Sequence, residues 1–207
     1  MKKLFIISNE SVFNYEGKYF CNNIELKSTP EGLSKFFEVN LIARQSSKKR
    51  SHQINLDNIH IFKNFFTYLS EIFKSFKIKE TKYLVYSISP YTFLACIFLR
   101  LFGKKPIVWL RSDGHEEYKA ILGFLGPFIY HTMFLIVSWI SHLISCREYI
   151  LKGKKGAVVL PSQLKTKWFK ELKSINAQKI NLLYVGRLRV EKGVFSLFEI
   201  IKDNQEV

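Results

Sequence analysis

Short apolar runs and helically spaced apolar stripes alternate along most of the chain. The runs are typical of buried strands, and they lie at Lys3–Ser8, Glu38–Arg44, Ile59–Phe62, Lys82–Ser87, Pro106–Leu110, Leu143–Cys146, Ala157–Pro161 and Leu182–Val185. The stripes predict helices within Ile24–Phe37, Phe65–Phe76, Tyr91–Phe102 and Val194–Ile201. Because strands alternate with helices and no hairpin signal such as Asn-Gly separates them, we expect an α/β fold. The pattern predicts a Rossmann-like, mostly parallel sheet with helices on both faces.

One long stretch, Ala120–Ile140, contains no Asp, Glu, Lys or Arg and is long enough to cross a bilayer. Its Gly126-Pro127 pair and its central His131 oppose a simple transmembrane span. We therefore favour a buried or interfacial helix that leads to the next strand, and a transmembrane helix is the alternative.

The composition is that of a packed protein with a strong excess of positive charge. Hydrophobic residues make up 47% of the chain and aromatic residues 15%, which excludes a disordered protein. The net charge of +15 predicts an anionic partner: nucleic acid, an acidic membrane surface or phosphorylated small molecules. Cys21, Cys96 and Cys146 are odd in number and widely spaced, so we expect neither a disulfide framework nor a zinc site. Reduced thiols in a cytoplasmic protein fit this pattern best.

A predicted strand, a short basic turn and a predicted helix follow one another over residues 180–201. Gly186 and Gly193 bracket the turn, and Arg187 and Lys192 add two positive charges. The first N–H groups of a helix are unpaired and its dipole is positive at that end, so such a turn suits an anion, and a diphosphate in particular. The alternative is an ordinary connection with solvated Arg and Lys side chains.

The sequence of this turn, G-R-L-x-x-E-K-G, resembles the donor-binding turn of the group 1 glycosyltransferases, which are retaining enzymes of the GT-B fold. In that family the Arg and the Lys hold the diphosphate of a nucleotide sugar, and Arg187 and Lys192 match them by position. The resemblance implies that the preceding residues form the first domain of a GT-B fold, which holds the acceptor. It implies a nucleotide-sugar substrate with no further cofactor and no metal, since Arg and Lys take the place of a metal on the diphosphate.

A second candidate site follows the predicted central strand Pro106–Leu110, where the sequence is R-S-D-G-H-E-E-Y. Open α/β sheets bind ligands at the carboxyl ends of their strands. In the resembled family a His in the corresponding loop approaches the transferred sugar; His115 matches it, and Asp113 can orient it or hold hydroxyl groups. The alternative is structural, with a turn at Asp113 and the two glutamates after His115 in the acidic first turn of the next helix.

The loop after the first strand also faces the ligand crevice of a doubly wound sheet. Members of the resembled family often carry a glycine-rich loop there, which lets the backbone approach donor and acceptor closely. This chain has Gly17 alone, in Y-E-G-K-Y, so a donor or acceptor loop and a plain turn are both open. The basic segment Gln45–Arg50 is expected to be an exposed loop that contributes nothing to a core.

The resemblance also predicts the domain organisation. We expect residues 1–165 to form the acceptor-side Rossmann-like domain, residues 166–179 a linker, and residues 180–207 the start of a truncated nucleotide-sugar-binding domain. The family's second domain carries a later E-x7-E pair, which the fourteen residues after Gly193 lack. The chain alone is therefore expected to fold, to show no measurable transferase activity, and to bind nucleoside diphosphates weakly.

The expected function is transfer of a sugar from a nucleotide sugar to a hydroxyl group of a glycan or lipid-linked acceptor, in surface glycan or glycolipid synthesis. The main alternative is a non-catalytic α/β module that binds a membrane or a partner protein. Specific nucleic-acid binding is not expected, because no recognised motif accompanies the charge. The aromatic and lysine-rich face from Phe65 to Lys79 is expected to be the side of a helix packed on the sheet, with an interfacial anchor as the alternative. Together with the net charge, this face predicts peripheral contact with an anionic inner membrane surface.

Overall fold

The computed structural model describes residues 2–78, 80–159, 184 and 193–203. Within these residues the strands are β1 (Lys3–Tyr15), β2 (Lys18–Cys21), β3 (Glu38–Gln45), β4 (His52–Ile54), β5 (Asn58–Phe62), β6 (Thr81–Tyr86), β7 (Ile107–Leu110), β8 (His142–Ser145) and β9 (Gly156–Val158). The helices are α1 (Ile24–Leu33), α2 (Phe65–Ser75), α3 (Pro90–Leu101), α4 (Gly114–Leu122), α5 (Leu125–Ile140) and α6 (Val194–Asp203), with a 3-10 helix at Glu148–Leu151. The chain divides into two compact units, Met1–Ser162 and Gln163–Val207.

The parallel strands of the first unit follow the order β5-β3-β1-β6-β7-β8-β9. From β1 the chain moves outwards through β3 and β5, and then returns to place β6 on the other side of β1. The strand order therefore reverses between β1 and β6, which is the topological switch point of a doubly wound sheet. The predicted Rossmann-like α/β fold is confirmed.

Alternate side chains of the parallel strands enter two cores, one on each face of the sheet. Phe5 and Ile7 belong to the core that α2, α3 and α5 cover, whereas Leu4 and Ile6 belong to the core that α1 covers. All four side chains are buried, and burial of one such side chain is worth about 1.5–3 kcal/mol. Helices lie on both faces, as the apolar pattern predicted.

An antiparallel extension of the sheet was not predicted. β1 continues to Tyr15, turns at Glu16 and Gly17, and pairs with β2, which pairs in turn with β4. Both turn residues have positive φ, 49° and 75°, which is the conformation of a two-residue type I′ hairpin turn. The expectation of a chain without hairpins was wrong, because Glu16 stands where Asn usually marks this turn.

α1 begins with a side-chain cap and contains a proline. The helix begins at Ile24, and the Asn23 side chain caps it by accepting a hydrogen bond from the Glu25 amide at 3.0 Å. Pro30 therefore lies inside the helix and not near its start. A strong cap upstream of the proline outweighs the local preference of proline for a first turn.

The uncharged stretch Ala120–Ile140 forms parts of two helices. α4 ends at Leu122, Gly123 adopts a φ of +66°, and α5 begins two residues later. Gly126 lies directly against the backbone carbonyl of Tyr118, so the two helices pack closely at this junction. Among the helices that the structure describes, none is both long enough and apolar enough to cross a membrane.

The aromatic side of α2 packs largely on the sheet. Tyr68 and Ile72 are buried, and Leu69 and Phe76 are partly buried against the same core, whereas Phe73 is exposed. Most of the predicted stripe is therefore the core side of a helix, as expected. Lys79 lies outside the described residues.

In the second unit, the structure describes the helix predicted after the basic turn. α6 runs from Val194 to Asp203, with Phe195 and Phe198 among its exposed side chains. The Gly193 carbonyl accepts a hydrogen bond from the Leu197 amide, which makes Gly193 the residue that opens the helix. The predicted strand 182–185 and linker 166–179 fall outside the described residues, except for Tyr184.

Candidate functional site

A cavity of about 670 Å³ opens at the carboxyl ends of β6 and β7, beside the segment of β1 that follows its pairing with β6. These strands flank the switch point, where open α/β sheets bind their ligands, and the volume is that of a small-molecule site. The lining combines hydroxyl, amide, charged and apolar side chains: Ser8, Asn9, Glu10, Ser11, Asn22, Arg50, Tyr86, Ser87, Ile88, Ser89, Pro90, Arg111, Ser112, Glu117, Tyr118, Ile121 and Leu122.

A bulge in β1 places the first of these residues. Ile7 pairs with Ile42 and Ser11 with Arg44, so the three residues from Ser8 to Glu10 lie opposite a single residue of β3. Such a bulge turns side chains out of the regular alternation of the strand and is common beside active sites. Here it brings Asn9 and Glu10 to the mouth of the cavity.

Arg111, directly after β7, ties the walls of the cavity together. Its guanidinium group donates hydrogen bonds to Glu10 Oε1 at 2.7 Å, to Glu25 Oε2 at 3.1 Å and to Ser87 Oγ at 3.3 Å. Only 16% of the side chain is exposed, so water screens these ion pairs weakly. One cation thereby joins the ends of β1, β6 and β7 to the start of α1.

The end of β6 has an unusual backbone conformation at the cavity wall. Ser87 has a φ of +56°, a left-handed conformation that costs a non-glycine residue free energy and clusters at functional sites. The Ser87 amide donates to the Trp109 carbonyl, and its own carbonyl accepts from the Thr92 hydroxyl, so neighbouring elements hold it in place. Behind it, the Tyr86 ring lies under the Arg111 guanidinium at 5.4 Å, and burial raises the pKa of the Tyr86 hydroxyl.

The basic loop after β3 contributes a second cation, Arg50. Ser46 is buried, and its hydroxyl accepts hydrogen bonds from Arg50 Nε at 3.1 Å and Nη2 at 3.0 Å. Ser46 is therefore an exception to the expectation that residues 45–50 form an exposed loop. The small hydroxyl side chain is buried because the loop folds back over it and satisfies it, and this positions Arg50 at the cavity.

The charges that line the cavity balance, because Arg50 and Arg111 face Glu10 and Glu117. Most other polar groups there are neutral hydroxyls and amides, and the buried Asn9 Oδ1 has no hydrogen-bond partner among the described residues. Paired carboxylate and guanidinium groups with surrounding hydroxyls suit a neutral ligand rich in hydroxyl groups better than a diphosphate. In the part of the chain that the structure describes, no group of His, Cys, Asp or Glu is arranged to hold a metal ion.

The predicted site residues Asp113 and His115 lie beside the cavity but do not line it. Asp113 caps α4 by accepting from the His115 amide at 3.0 Å, and its carboxylate also lies 3.2 Å from His115 Nδ1. His115 Nε2 lies 3.1 Å from Nδ1 of His131 on α5. Burial opposes ionisation of Asp113, but hydrogen bonds from Lys152 and from His115 outweigh it and hold the Asp113 pKa below its usual value. The structure therefore joins Asp113 and His115 as a hydrogen-bonded pair, while their predicted role in catalysis stays a prediction.

The predicted Gly17 does not line the cavity. Gly17 occupies the tip of the β1–β2 hairpin with open space around its Cα, the position of the plain turn. Gly193 has a φ of +70° and opens α6. Gly186, Arg187 and Lys192 lie outside the described residues.

Sequence reasoning did not single out the residues that build the cavity. Glu10 and Glu25 received no role, Arg50 appeared only in the basic segment expected to be exposed, and Arg111 appeared only as part of the cluster that contains His115. One signal was present: Glu10 follows the apolar run of β1 closely, just as the Arg111 cluster follows β7, and both strands were predicted to end at the ligand edge.

Comparison of the chain with protein-family models, curated proteins and solved structures gave no match.

Proposed function

We propose that this protein is a retaining, nucleotide-sugar-dependent glycosyltransferase whose Rossmann-like unit holds the acceptor in the cavity at the switch point. The observation that carries the proposal is the character of this cavity, which presents balanced charges and many neutral hydrogen-bonding groups at the ligand edge of the sheet. Such a lining matches the hydroxyl groups of a sugar. The basic turn at residues 186–193 resembles the group 1 donor site, and this resemblance supports binding of the nucleotide-sugar donor by the same chain.

In this proposal, the basic turn binds the donor and the cavity binds the acceptor. Arg187 and Lys192 bind the diphosphate of the donor and stabilise the negative charge that builds there as the glycosidic bond breaks. Each charge-assisted hydrogen bond to phosphate contributes about 1.5–3 kcal/mol. In the cavity, Glu10 accepts hydrogen bonds from acceptor hydroxyls, and Arg111 keeps Glu10 in place.

His115 is the proposed residue that approaches the transferred sugar. Its hydrogen bond to Asp113 supports this role, because a carboxylate at Nδ1 fixes the ring and its tautomer and directs Nε2 outwards. His131 occupies the Nε2 side in this structure, so the proposal requires that a sugar hydroxyl replaces it. The proposed acceptor is a glycan or a lipid-linked sugar, and the proposed setting is the cytoplasm, peripheral to the inner face of a membrane.

Equilibrium titration with UDP, GDP and ADP tests the donor half of the proposal. We expect at least one nucleotide to bind weakly, and Arg187→Ala and Lys192→Ala each to lower its affinity by about tenfold or more, as loss of one charge-assisted hydrogen bond implies. Lys48→Ala, in the exposed part of the basic loop, is the matched control for charge and should leave the affinity unchanged. Equal losses in all three variants would indicate general attraction to a basic protein and would contradict a diphosphate site.

A further inference from the structure

α5 exposes several large apolar side chains on its outward side, with His131 and Thr132 as exposed polar residues among them. Tyr130, Phe134 and Val137 face the core, whereas Phe128, Ile129, Ile136 and Trp139 are exposed. A helix on a protein surface normally carries charged or polar residues on its outer side. The outward side of α5 therefore has the character of an interaction surface.

This surface continues over the neighbouring helices. α2, α3 and α5 cover the same core, α2 contacts α3, and α3 contacts α5, so the three form one layer. The outer side of α3 exposes Leu94 and Leu101, and that of α2 exposes Phe66 and Phe73. We call the exposed side of this layer the helical face.

The charges on the helical face are almost all positive. α2, α3 and α5 together contain one acidic residue, Glu71, which already forms ion pairs with Lys74 at 2.6 Å and with His60 at 3.2 Å. Cations cluster at the ends of α2 and α3 and in the turns that follow: Lys74, Lys77, Arg100, Lys104 and Lys105. An apolar surface bordered by cations is complementary to an anionic lipid bilayer, which offers both an apolar phase and negative headgroups.

The same charges disfavour a second copy of the chain as the occupant. Each copy carries a net charge of +15, so two basic faces brought together repel each other. An anionic bilayer, in contrast, attracts every cation that approaches its surface.

We propose that the helical face docks on an anionic lipid bilayer, with Phe128 and Trp139 of α5 at the boundary between headgroups and acyl chains and the cations of α2 and α3 against the lipid phosphates. The docking is peripheral and does not depend on catalysis, so its test is separate from that of the proposed transferase activity. It moves the centre of membrane contact from α2, where the sequence suggested it, to α5.

Flotation of the full chain with vesicles tests the proposal. We expect strong binding to vesicles of phosphatidylcholine mixed with phosphatidylglycerol, weak binding to phosphatidylcholine alone, and a steep loss of binding as salt rises. The double substitution Phe128→Ser with Trp139→Ser should lower the partition coefficient by about tenfold or more, since it removes two large apolar side chains from the contact. Phe36→Ser is the matched control: Phe36 is 71% exposed and Phe128 74%, but Phe36 follows α1 on the other face of the sheet. It should bind as the wild type does.

A second measurement requires no disruptive substitution. Trp139 is exposed, so lipids with brominated acyl chains should quench its fluorescence. The Trp139→Phe variant lacks this tryptophan and therefore shows which part of the wild-type signal comes from it. Absence of this quenching overturns the proposal, as does vesicle binding that the double substitution leaves unchanged. Equal binding to vesicles with and without phosphatidylglycerol also overturns the proposal. Self-association in analytical ultracentrifugation that the double substitution abolishes, without vesicle binding, would show instead that the face joins two copies.

Discussion

Arg111 shows how one residue organises the candidate site. Its position after a central strand could be predicted, because the apolar run of β7 ends just before it. Its partners could not, because Glu10 and Glu25 lie 101 and 86 residues away in sequence and meet it only through the parallel order of the sheet. Local patterns contain no information about which distant carboxylates converge on a guanidinium group.

Replacement of Arg111 tests this role through stability. Arg111→Lys keeps the charge but loses the planar fork that reaches Glu10, Glu25 and Ser87 together, so we expect a loss of about 1–2 kcal/mol in the free energy of unfolding. Arg111→Leu leaves two partly buried carboxylates without their cation and should cost about 3 kcal/mol. Urea denaturation measures both, with Arg147→Lys at an exposed position as the control. An Arg111→Lys variant as stable as the wild type would show that the network contributes little.

Substitution of His115 distinguishes a catalytic role of this residue from a structural one. In an enzyme built on this domain, His115→Ala should lower turnover about 100-fold or more, as removal of a positioned proton donor or acceptor does. Its free energy of unfolding should fall by only about 1 kcal/mol, the worth of its hydrogen bonds. Nucleoside diphosphate release and thermal unfolding measure the two effects. His131→Ala, which removes only the neighbour at Nε2, should leave turnover nearly unchanged.

Unchanged turnover in His115→Ala would contradict a role for His115 in catalysis. A large loss of stability in His115→Ala would instead support the structural role that its contacts with Asp113, Tyr130 and Phe134 suggest.

At the scale of elements, strong apolar periodicity predicted the helices and strands correctly, whereas turn residues did not predict where the chain turns. The apolar stripes of α2 and α3 and the apolar runs of the parallel strands lie where predicted, because burial on a sheet requires that pattern. The β1–β2 hairpin and the break between α4 and α5 were missed. Both depend on turn residues with positive φ, Glu16 and Gly17 in the hairpin and Gly123 between the helices, and the apolar pattern contains no information about φ.

The junction of α4 and α5 offers a test at this scale. A Cβ at position 126 would collide with the backbone of Tyr118, so Gly126→Ala must push the two helices apart and should destabilise the protein by about 1–3 kcal/mol. Gly32→Ala is the matched control, because Gly32 lies in α1 with open space around it. There alanine should stabilise the helix by about 0.5–1 kcal/mol. The same sign for both substitutions in urea denaturation would contradict the close packing of α4 on α5.

At the scale of the whole molecule, the fold class followed from the alternation of strands and helices, and so did the edge of the sheet at which the cavity opens. The shape and chemistry of the cavity did not follow, because they depend on a bulge in β1, on a left-handed Ser87 and on a buried Ser46 that holds Arg50. The motif at residues 186–193 suggested glycosyl transfer but placed the chemistry at His115 and Asp113, whereas the structure gathers the polar groups of the cavity around Arg111.

The central claim is that this cavity binds the sugar of an acceptor. Saturation-transfer NMR with a panel of methyl glycosides of hexoses and N-acetylhexosamines tests it most directly, in the wild type and in Ser112→Trp, which fills the cavity from its wall. We predict that at least one glycoside receives saturation from the wild type and none from Ser112→Trp, while the nucleotide signal persists in both. A glycoside signal of equal strength in Ser112→Trp, or none from any glycoside in the wild type, would contradict the account.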